Sequence, residues 1–284
     1  MTQWTEEIDP VNGDFRVQLR INKVLYERQT DQQHILLIEN KTFGRVLFFD
    51  GVAQLSESDE FIYHEMLVHV PVLAHGAVRN VLIIGGGDGG AAEELFKHKG
   101  IERVDLVEID AAVVELSKAH LRDICGAAFE DSRLCLTIGD GVEFVAQTDA
   151  RYDLILIDSA DPPGDVNVLY SEPFYRDCAK CLAPGGVLVT QNALPFLDKD
   201  WLGKPMARLR KIFADTTCYQ ITVPSFYGGF MAFGWATDNT DLRGLDRDEL
   251  TRRLGAAKIF ARYYTPEIHL AAFALPPYVL NMLK

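Results

Sequence analysis

The spacing of apolar positions divides the chain in two. Phe15, Val17, Leu19 and Ile21 occupy every second position, the period of a half-buried strand. Ile35-Leu36-Leu37-Ile38-Glu39 reads as another strand. Val46–Phe49 and Val52–Leu55 flank Asp50-Gly51, a dipeptide suited to a tight hairpin turn. Residues 14–56 are therefore expected to form a β unit. Ser58 is placed to cap a helix from Asp59 to about Val70, and Pro71 is expected to end it.

From Arg79 onward strands alternate with helices. Strands are expected at Val81–Ile84, Arg103–Glu108, Leu134–Ile138, Tyr152–Ile157 and Gly186–Thr190. Helical periods lie between them near Ala91–His98, Ala111–Leu121, Val142–Gln147 and Glu172–Leu182. Such alternation predicts a parallel sheet covered by helices. A helix near Trp201–Phe213 follows, then Cys218–Val223 and Phe230–Thr237, which can pair as an antiparallel end of the sheet. The expected architecture is α/β, with a small β domain over 1–60 and a Rossmann-like doubly wound domain over 61–284.

The most specific stretch is Val81-Leu82-Ile83-Ile84-Gly85-Gly86-Gly87-Asp88-Gly89-Gly90. A buried strand, a glycine turn and a helix start make a nucleotide-binding crevice. Gly85-x-Gly87-x-x-Gly90 also satisfies the dinucleotide fingerprint. Asp88 argues against a pyrophosphate, because like charges repel, and suits a ligand that carries a cation. Ligands of open α/β sheets bind beyond the carboxyl ends of the strands. Those ends carry Asp88, Glu108, Asp140 and Asp158. Any one of these acids could simply cap a helix. Four in register point to a shared ligand that neutralises them, or whose hydroxyls they bind. Glu108 stands where an acid holds ribose hydroxyls. A nucleoside bearing a sulfonium, such as S-adenosylmethionine or a relative, fits this set.

The bulk properties narrow the classes. A formal charge of −13 disfavours a nucleic-acid partner, which needs basic surface. No apolar stretch is long enough for a membrane span, and Met1–Glu7 lacks a signal peptide's apolar core, so a cytoplasmic protein is expected. Cys178 and Cys181 form a lone CxxC inside a helical stretch and read as packing thiols. His64-Glu65-Met66-Leu67-Val68-His69 has one residue too many for HExxH, so its histidines diverge on a helix and no metal is expected.

Over essentially its whole length the chain resembles the spermidine synthase family of polyamine aminopropyltransferases. The resemblance rests on Phe43-Gly44-Arg45-Val46 with Asp50-Gly51-Val52, on Asp59-Glu60-Phe61-Ile62-Tyr63-His64-Glu65-Met66, and on the glycine run. Val107-Glu108-Ile109-Asp110, Asp158-Ser159-Ala160-Asp161-Pro162 and Ala271-Ala272-Phe273-Ala274-Leu275-Pro276 also match. It implies a class I S-adenosylmethionine methyltransferase fold, with Asp158 as general base. It implies Gln33, Asp88, Glu108, Asp140 and Gly141 on the donor nucleoside. Tyr63, His64, Asp161, Gln191 and Tyr227 are implied at the acceptor amine, His64 also bordering the nucleoside. The implied co-substrate is decarboxylated S-adenosylmethionine, with no tightly bound cofactor. The usual acceptor is putrescine, with cadaverine, agmatine or spermidine as alternatives; with putrescine the products are spermidine and methylthioadenosine, and the implied assembly is a homodimer or homotetramer.

Taken singly, Tyr63 and His64 read as helix-face packing residues, Gln33 as an exposed strand residue and Gln191 as a strand end. The chain also departs from the family. Asp165, Val166 and Asn167 follow Gly164 where a Pro is usual, Phe226 replaces a common Tyr beside Tyr227, and Glu93 replaces a common Arg. The first two changes touch the acceptor side and a loop, Asp158 to Tyr170, expected to act as a lid. An N-methyltransferase is the competing enzyme reading, since Asp161-Pro162-Pro163 is similar to a D-P-P-Y motif, but Gly164 lacks its aromatic. A non-catalytic polyamine or nucleoside sensor is the other alternative, against which Asp158 stands.

Overall fold

The computed structural model describes residues 3–5, 7–8, 16–159, 168–192, 194–197, 200–227 and 229–284. Strands β1 (Lys23–Gln29), β2 (His34–Asn40), β3 (Gly44–Phe49) and β4 (Val52–Ser56) form an antiparallel meander in sequence order. Asp50 and Gly51 both take positive φ at the β3–β4 turn, as an Asp-Gly hairpin requires. The strand expected through Phe15 and Ile21 is broken. Arg16–Val17 pairs with Glu7–Ile8, and Arg20–Ile21 pairs with Gln3–Trp4. Between them Thr5 Oγ1 takes the Leu19 N–H at 3.0 Å, so a side chain substitutes for a ladder bond. Phe15 lies outside the described residues.

Helix α1 (Glu60–His75) follows. It runs past Pro71 to Gly76, which takes the left-handed conformation that closes a helix. The expectation that Pro71 ends it is wrong. A mid-helix proline costs about 3 kcal/mol, but Pro71, Val72, Leu73 and Ala74 are all buried in the core, and that burial outweighs the lost bond. Ser58 is not the cap either: its hydroxyl goes to the Thr42 carbonyl at 3.2 Å, and Asp59 holds the cap position.

The second sheet contains β5 (Asn80–Gly85), β6 (Arg103–Glu108), β7 (Leu134–Ile138), β8 (Tyr152–Asp158), β9 (Leu182–Gln191), β10 (Asp215–Ile221) and β11 (Met231–Thr237). Its order is β7-β6-β5-β8-β9-β11-β10. The first five are parallel, and β11 is antiparallel to both neighbours. This is the doubly wound class I methyltransferase arrangement, and the order reverses between β5 and β8. Alternation along the strands feeds two cores. Val81, Ile83, Leu154 and Leu156 pack with α1 and with α2 (Gly90–Phe96). Leu82, Ile84, Ile155 and Ile157 pack on the opposite face. There they meet Val145 of α4 (Gly141–Gln147), Phe174 and Cys178 of α5 (Glu172–Cys181) and Met206 of α6 (Asp200–Leu209). Cys178 and Cys181 are buried packing thiols whose pKa values burial pushes up.

Between β6 and β7 lies α3 (Ala111–His120), and the N-terminal sheet rests on it: Ile35, Leu37, Leu47 and Leu55 contact Ala112, Val113 and Leu116. Three further helices, α7 (Arg247–Ala257), α8 (Pro266–Ala272) and α9 (Pro277–Met282), complete the chain. The segment between α7 and α8 is tied to α1 by a buried carboxylate. Glu65 accepts the backbone N–H groups of Arg262, Tyr263 and Tyr264 at 2.6, 2.8 and 2.7 Å. Glu65→Ala strands these donors, so it should destabilise the protein by about 2–4 kcal/mol. Urea unfolding checks this, and a loss under roughly 0.5 kcal/mol, the level of a neutral surface change, would show that the anchor carries nothing.

Candidate active site

The site forms where β5, β6 and β8 end. Asp88 follows β5 in the glycine loop, Glu108 ends β6 and Asp158 ends β8. Helix α1 lays Tyr63 and His64 over these ends. Gly90 permits this, because a Cβ there would sit 2.3–2.6 Å from the His64 ring. Gly87 likewise leaves room for Glu108, whose carboxylate a Cβ would meet at 2.7 Å. Both glycines thus admit the protein's own side chains.

His64 is buried and bonded on both nitrogens. Nδ1 lies 2.7 Å from Glu60 Oε2 and Nε2 lies 3.3 Å from Asp88 Oδ1. Burial lowers the His64 pKa, but Asp88 and Glu60 outweigh it and hold the ring well above its ordinary value. The ring is therefore an imidazolium. Burial pushes Asp88 up, yet His64 and the Gly90 N–H (2.7 Å) keep it below the usual carboxylate range. Asp158 differs. Burial and the neighbouring Asp88 push it up to about 6, against the opposing pull of His64 and Tyr63. Its Oδ1 takes the Tyr63 hydroxyl at 2.6 Å, while Oδ2 is buried with no hydrogen-bond partner.

Glu108 receives the N–H groups of Gly87 (3.1 Å) and Asp110 (2.9 Å), but burial dominates and pushes its carboxyl up to about 7. Asp110 caps α3 and receives Thr30 Oγ1 at 2.7 Å and Gln33 Nε2 at 3.4 Å. The N-terminal sheet thus delivers Gln33 to the edge of the crevice. On the other side Gln191 is buried at the end of β9, where the Tyr170 hydroxyl donates to its carbonyl (2.8 Å) and Oε1 (3.1 Å). Phe226 stands edge-on to Tyr63, with ring centroids 6.5 Å apart, and Tyr227 follows it in the same half-buried turn.

Among the described residues, His64, Asp88 and Asp158 each bring a potential metal-ligand atom within 4.8 Å of the others. As an imidazolium His64 has no lone pair for a metal. What remains is a pair of acids suited to a cation. His69, five residues on, turns elsewhere, with Nδ1 3.0 Å from His98 Nε2.

The comparisons with known proteins agree with this geometry. The model of the spermine/spermidine synthase domain matches residues 60–244, and the model of the spermidine synthase tetramerisation domain matches residues 3–57. This chain belongs to the spermine/spermidine synthase family. A polyamine aminopropyltransferase of Ruegeria sp. strain TM1040 is 46% identical over 282 residues, with 99% of each chain covered. Polyamine aminopropyltransferase 1 of Pseudomonas aeruginosa is 50% identical over 263 residues, covering 93% of this chain and 92% of that one. A crystal structure of a spermidine synthase with the transition-state analogue AdoDATO superimposes with a TM-score of 0.93 at 34% identity. It covers 99% of this chain and 94% of its own.

Within this family site the expected residues separate. Tyr63, His64, Asp88, Glu108 and Asp158 converge directly. Gln33 reaches Asp110, Gln191 is bonded by Tyr170 at the end of β9, and Tyr227 follows Phe226. Asp140 is exposed at the end of β7 and caps α4 by accepting the Val142 N–H at 2.7 Å, with Gly141 packed against Ile84. Asp161, like Asp165, Val166 and Asn167 of the expected lid, lies outside the described residues. Sequence reasoning missed Glu60, although its spacing of four from His64 on a helix is a usable signal. It missed Asp59 and Tyr170, whose partners are far away in sequence.

The buried acids have a consequence for stability. Asp158 and Glu108 have raised pKa values in the folded protein, so between about pH 4 and 7 the folded form holds more protons than the unfolded one. Their contribution therefore falls as pH rises through that window. Glu108→Gln removes one of these protons from the balance. In urea unfolding, the stability of the Gln variant relative to the parent should improve by roughly 1–3 kcal/mol from pH 4.5 to 7. A difference that does not change with pH would show that Glu108 titrates normally.

Proposed function

We propose that the protein transfers the aminopropyl group of decarboxylated S-adenosylmethionine to a diamine, with putrescine as acceptor, giving spermidine and methylthioadenosine. One observation carries the reading: Asp158 Oδ2 is buried and unpartnered, while Oδ1 is fixed by Tyr63. An alkylammonium has a pKa near 10, so its nitrogen cannot attack until a proton leaves. Asp158, at about 6, is ionised at neutral pH and can accept that proton on Oδ2. The freed lone pair then attacks the methylene beside the sulfonium. The carbon–sulfur bond breaks, its electron pair stays on sulfur, and neutral methylthioadenosine leaves. Asp88, held ionised by His64, offsets the repulsion between two cationic reactants and favours a donor tail ending in ammonium over one that also bears a carboxylate.

In this reading Glu108, Gln33, Asp140 and Gly141 hold the nucleoside, and Tyr63, His64, Gln191, Tyr227 and Asp161 face the amine. Decarboxylated S-adenosylmethionine is a co-substrate. Residues 61–284 perform the chemistry, and residues 1–60 supply Gln33 and an assembly surface. The tetramerisation-domain match supports a homo-oligomer, a dimer or tetramer. Among the described residues no helix is long and apolar enough to cross a membrane; a cytoplasmic location remains part of this proposal.

Product masses with each donor test the reading. Decarboxylated S-adenosylmethionine with putrescine should yield spermidine, and intact S-adenosylmethionine should yield negligible methylated amine. Equal or better turnover of the intact donor would replace this reading with a methyltransferase. The base is tested separately. Asp158→Asn keeps the shape but cannot take the proton, so kcat should fall about 10²–10⁴-fold. Methylthioadenosine affinity, measured by calorimetry, should change far less. A near-parental kcat would remove Asp158 from the mechanism.

A further inference from the structure

Asp59 occupies the cap position of α1 yet makes no side-chain bond to that helix. It is only 4% exposed, and both its oxygens are committed elsewhere. Oδ1 accepts Ser56 Oγ at 2.6 Å and Ser225 Oγ at 3.0 Å, and Oδ2 accepts the Ser225 backbone N–H at 2.6 Å. Charge-assisted bonds of this kind are short and strong. One carboxylate thus joins the last strand of the N-terminal sheet, the start of α1 and a turn 166 residues away.

That turn is closed by the Phe226 N–H on the Val223 carbonyl at 3.0 Å, and buried Val223 roots it in the core. Phe226 sets its ring edge-on against Tyr63, whose other neighbours are His64 and Phe233. Tyr63 in turn fixes Asp158 Oδ1. We propose that Asp59 is a positioning residue for the acceptor amine: through Ser225 it holds the 223–227 turn, and through Phe226 it holds the Tyr63 phenol against Asp158. This rests on the aminopropyl-transfer reading for the identity of the amine. Asp59 and Ser225 make none of the bonds that hold Asp88 and Glu108, which come from His64, Gly90, Gly87 and Asp110, so nucleoside binding should be indifferent to the latch.

A role confined to stability would lower the melting temperature and the active fraction, leaving KM unchanged. A positioning role separates amine from nucleoside. Asp59→Asn keeps the volume and removes the charge, so KM for putrescine should rise about tenfold, the equivalent of one lost charge-assisted bond. The putrescine-to-cadaverine ratio of kcat/KM should shift, while methylthioadenosine Kd stays within about twofold, as for a site with no shared partner. Ser225→Ala keeps the backbone bond and should move KM the same way by less. If Asp59→Asn does not fold, Ser225→Ala decides alone. Unchanged amine KM in the folded variants, or a parallel rise in methylthioadenosine Kd, overturns the proposal. Hydrogen exchange at residues 225–227 gives a readout independent of the reaction. If the parent transfers nothing from the decarboxylated donor, the functional reading fails, and the latch then stands or falls on whether Asp59→Asn speeds that exchange.

Discussion

Asp88, Asp158 and His64 bring their polar atoms within 4.8 Å of one another, and the imidazolium of His64 is what allows two acids to share so small a space. Two full negative charges at that distance repel by roughly 3–4 kcal/mol at an effective dielectric of about 20, before the cost of burying either. His64 bonds Asp88 rather than Asp158, so its charge is spent unequally. Asp88 falls below the usual carboxylate range, and Asp158, left with a neutral phenol, rises to about 6. Environments that push two carboxyl groups apart separate their tasks: one is a fixed charge and the other can gain and lose a proton.

This arrangement is built largely by the first turns of α1. Asp59 reaches the 223–227 turn, Glu60 holds His64, Tyr63 reaches Asp158, His64 reaches Asp88 and Glu65 gathers the segment before α8. A helix can do this because adjacent residues project about 100° apart. Neighbours in sequence therefore serve different parts of the fold. Apart from His69 and His75, the rest of α1 is apolar and buried between β strands and α2, which fixes the axis from which these side chains project. Pro71 is tolerated inside the helix for the same reason.

Much of this was legible in the sequence because it is local. Alternating and continuous apolar runs located the parallel strands, and Asp50-Gly51 located the hairpin. The glycine run with Asp88 located the crevice. What escaped depends on contacts that no short window contains. Strand β1 is mostly exposed and polar, so its Lys-Val-Leu-Tyr-Glu-Arg-Gln sequence carries little period. The three C-terminal helices are short, and they carry few of the buried side chains that make a helical stripe visible. That Asp140 is exposed and caps α4, while Glu108 is buried under two backbone N–H groups, is a difference only coordinates show. The Asp59–Ser225 bond spans most of the chain and leaves no mark in local spacing.

The glycine loop is where these strands of the argument meet. A glycine run at a strand end is usually read as space reserved for a ligand. Here Gly87 and Gly90 are filled by Glu108 and His64, and the loop N–H groups of Gly87 and Gly90 already bind Glu108 and Asp88. The loop is therefore fixed from both sides by the protein itself. Charges that must be in position when a cationic substrate arrives are then held by folding, not gathered by binding, and they need no reorganisation during the reaction. The same packing explains why the buried acids are tolerated: each one that loses water gains an imidazolium, a phenol or a backbone N–H. Asp158 Oδ2 is left buried without such a partner, and so it is a position where an incoming ammonium gains much.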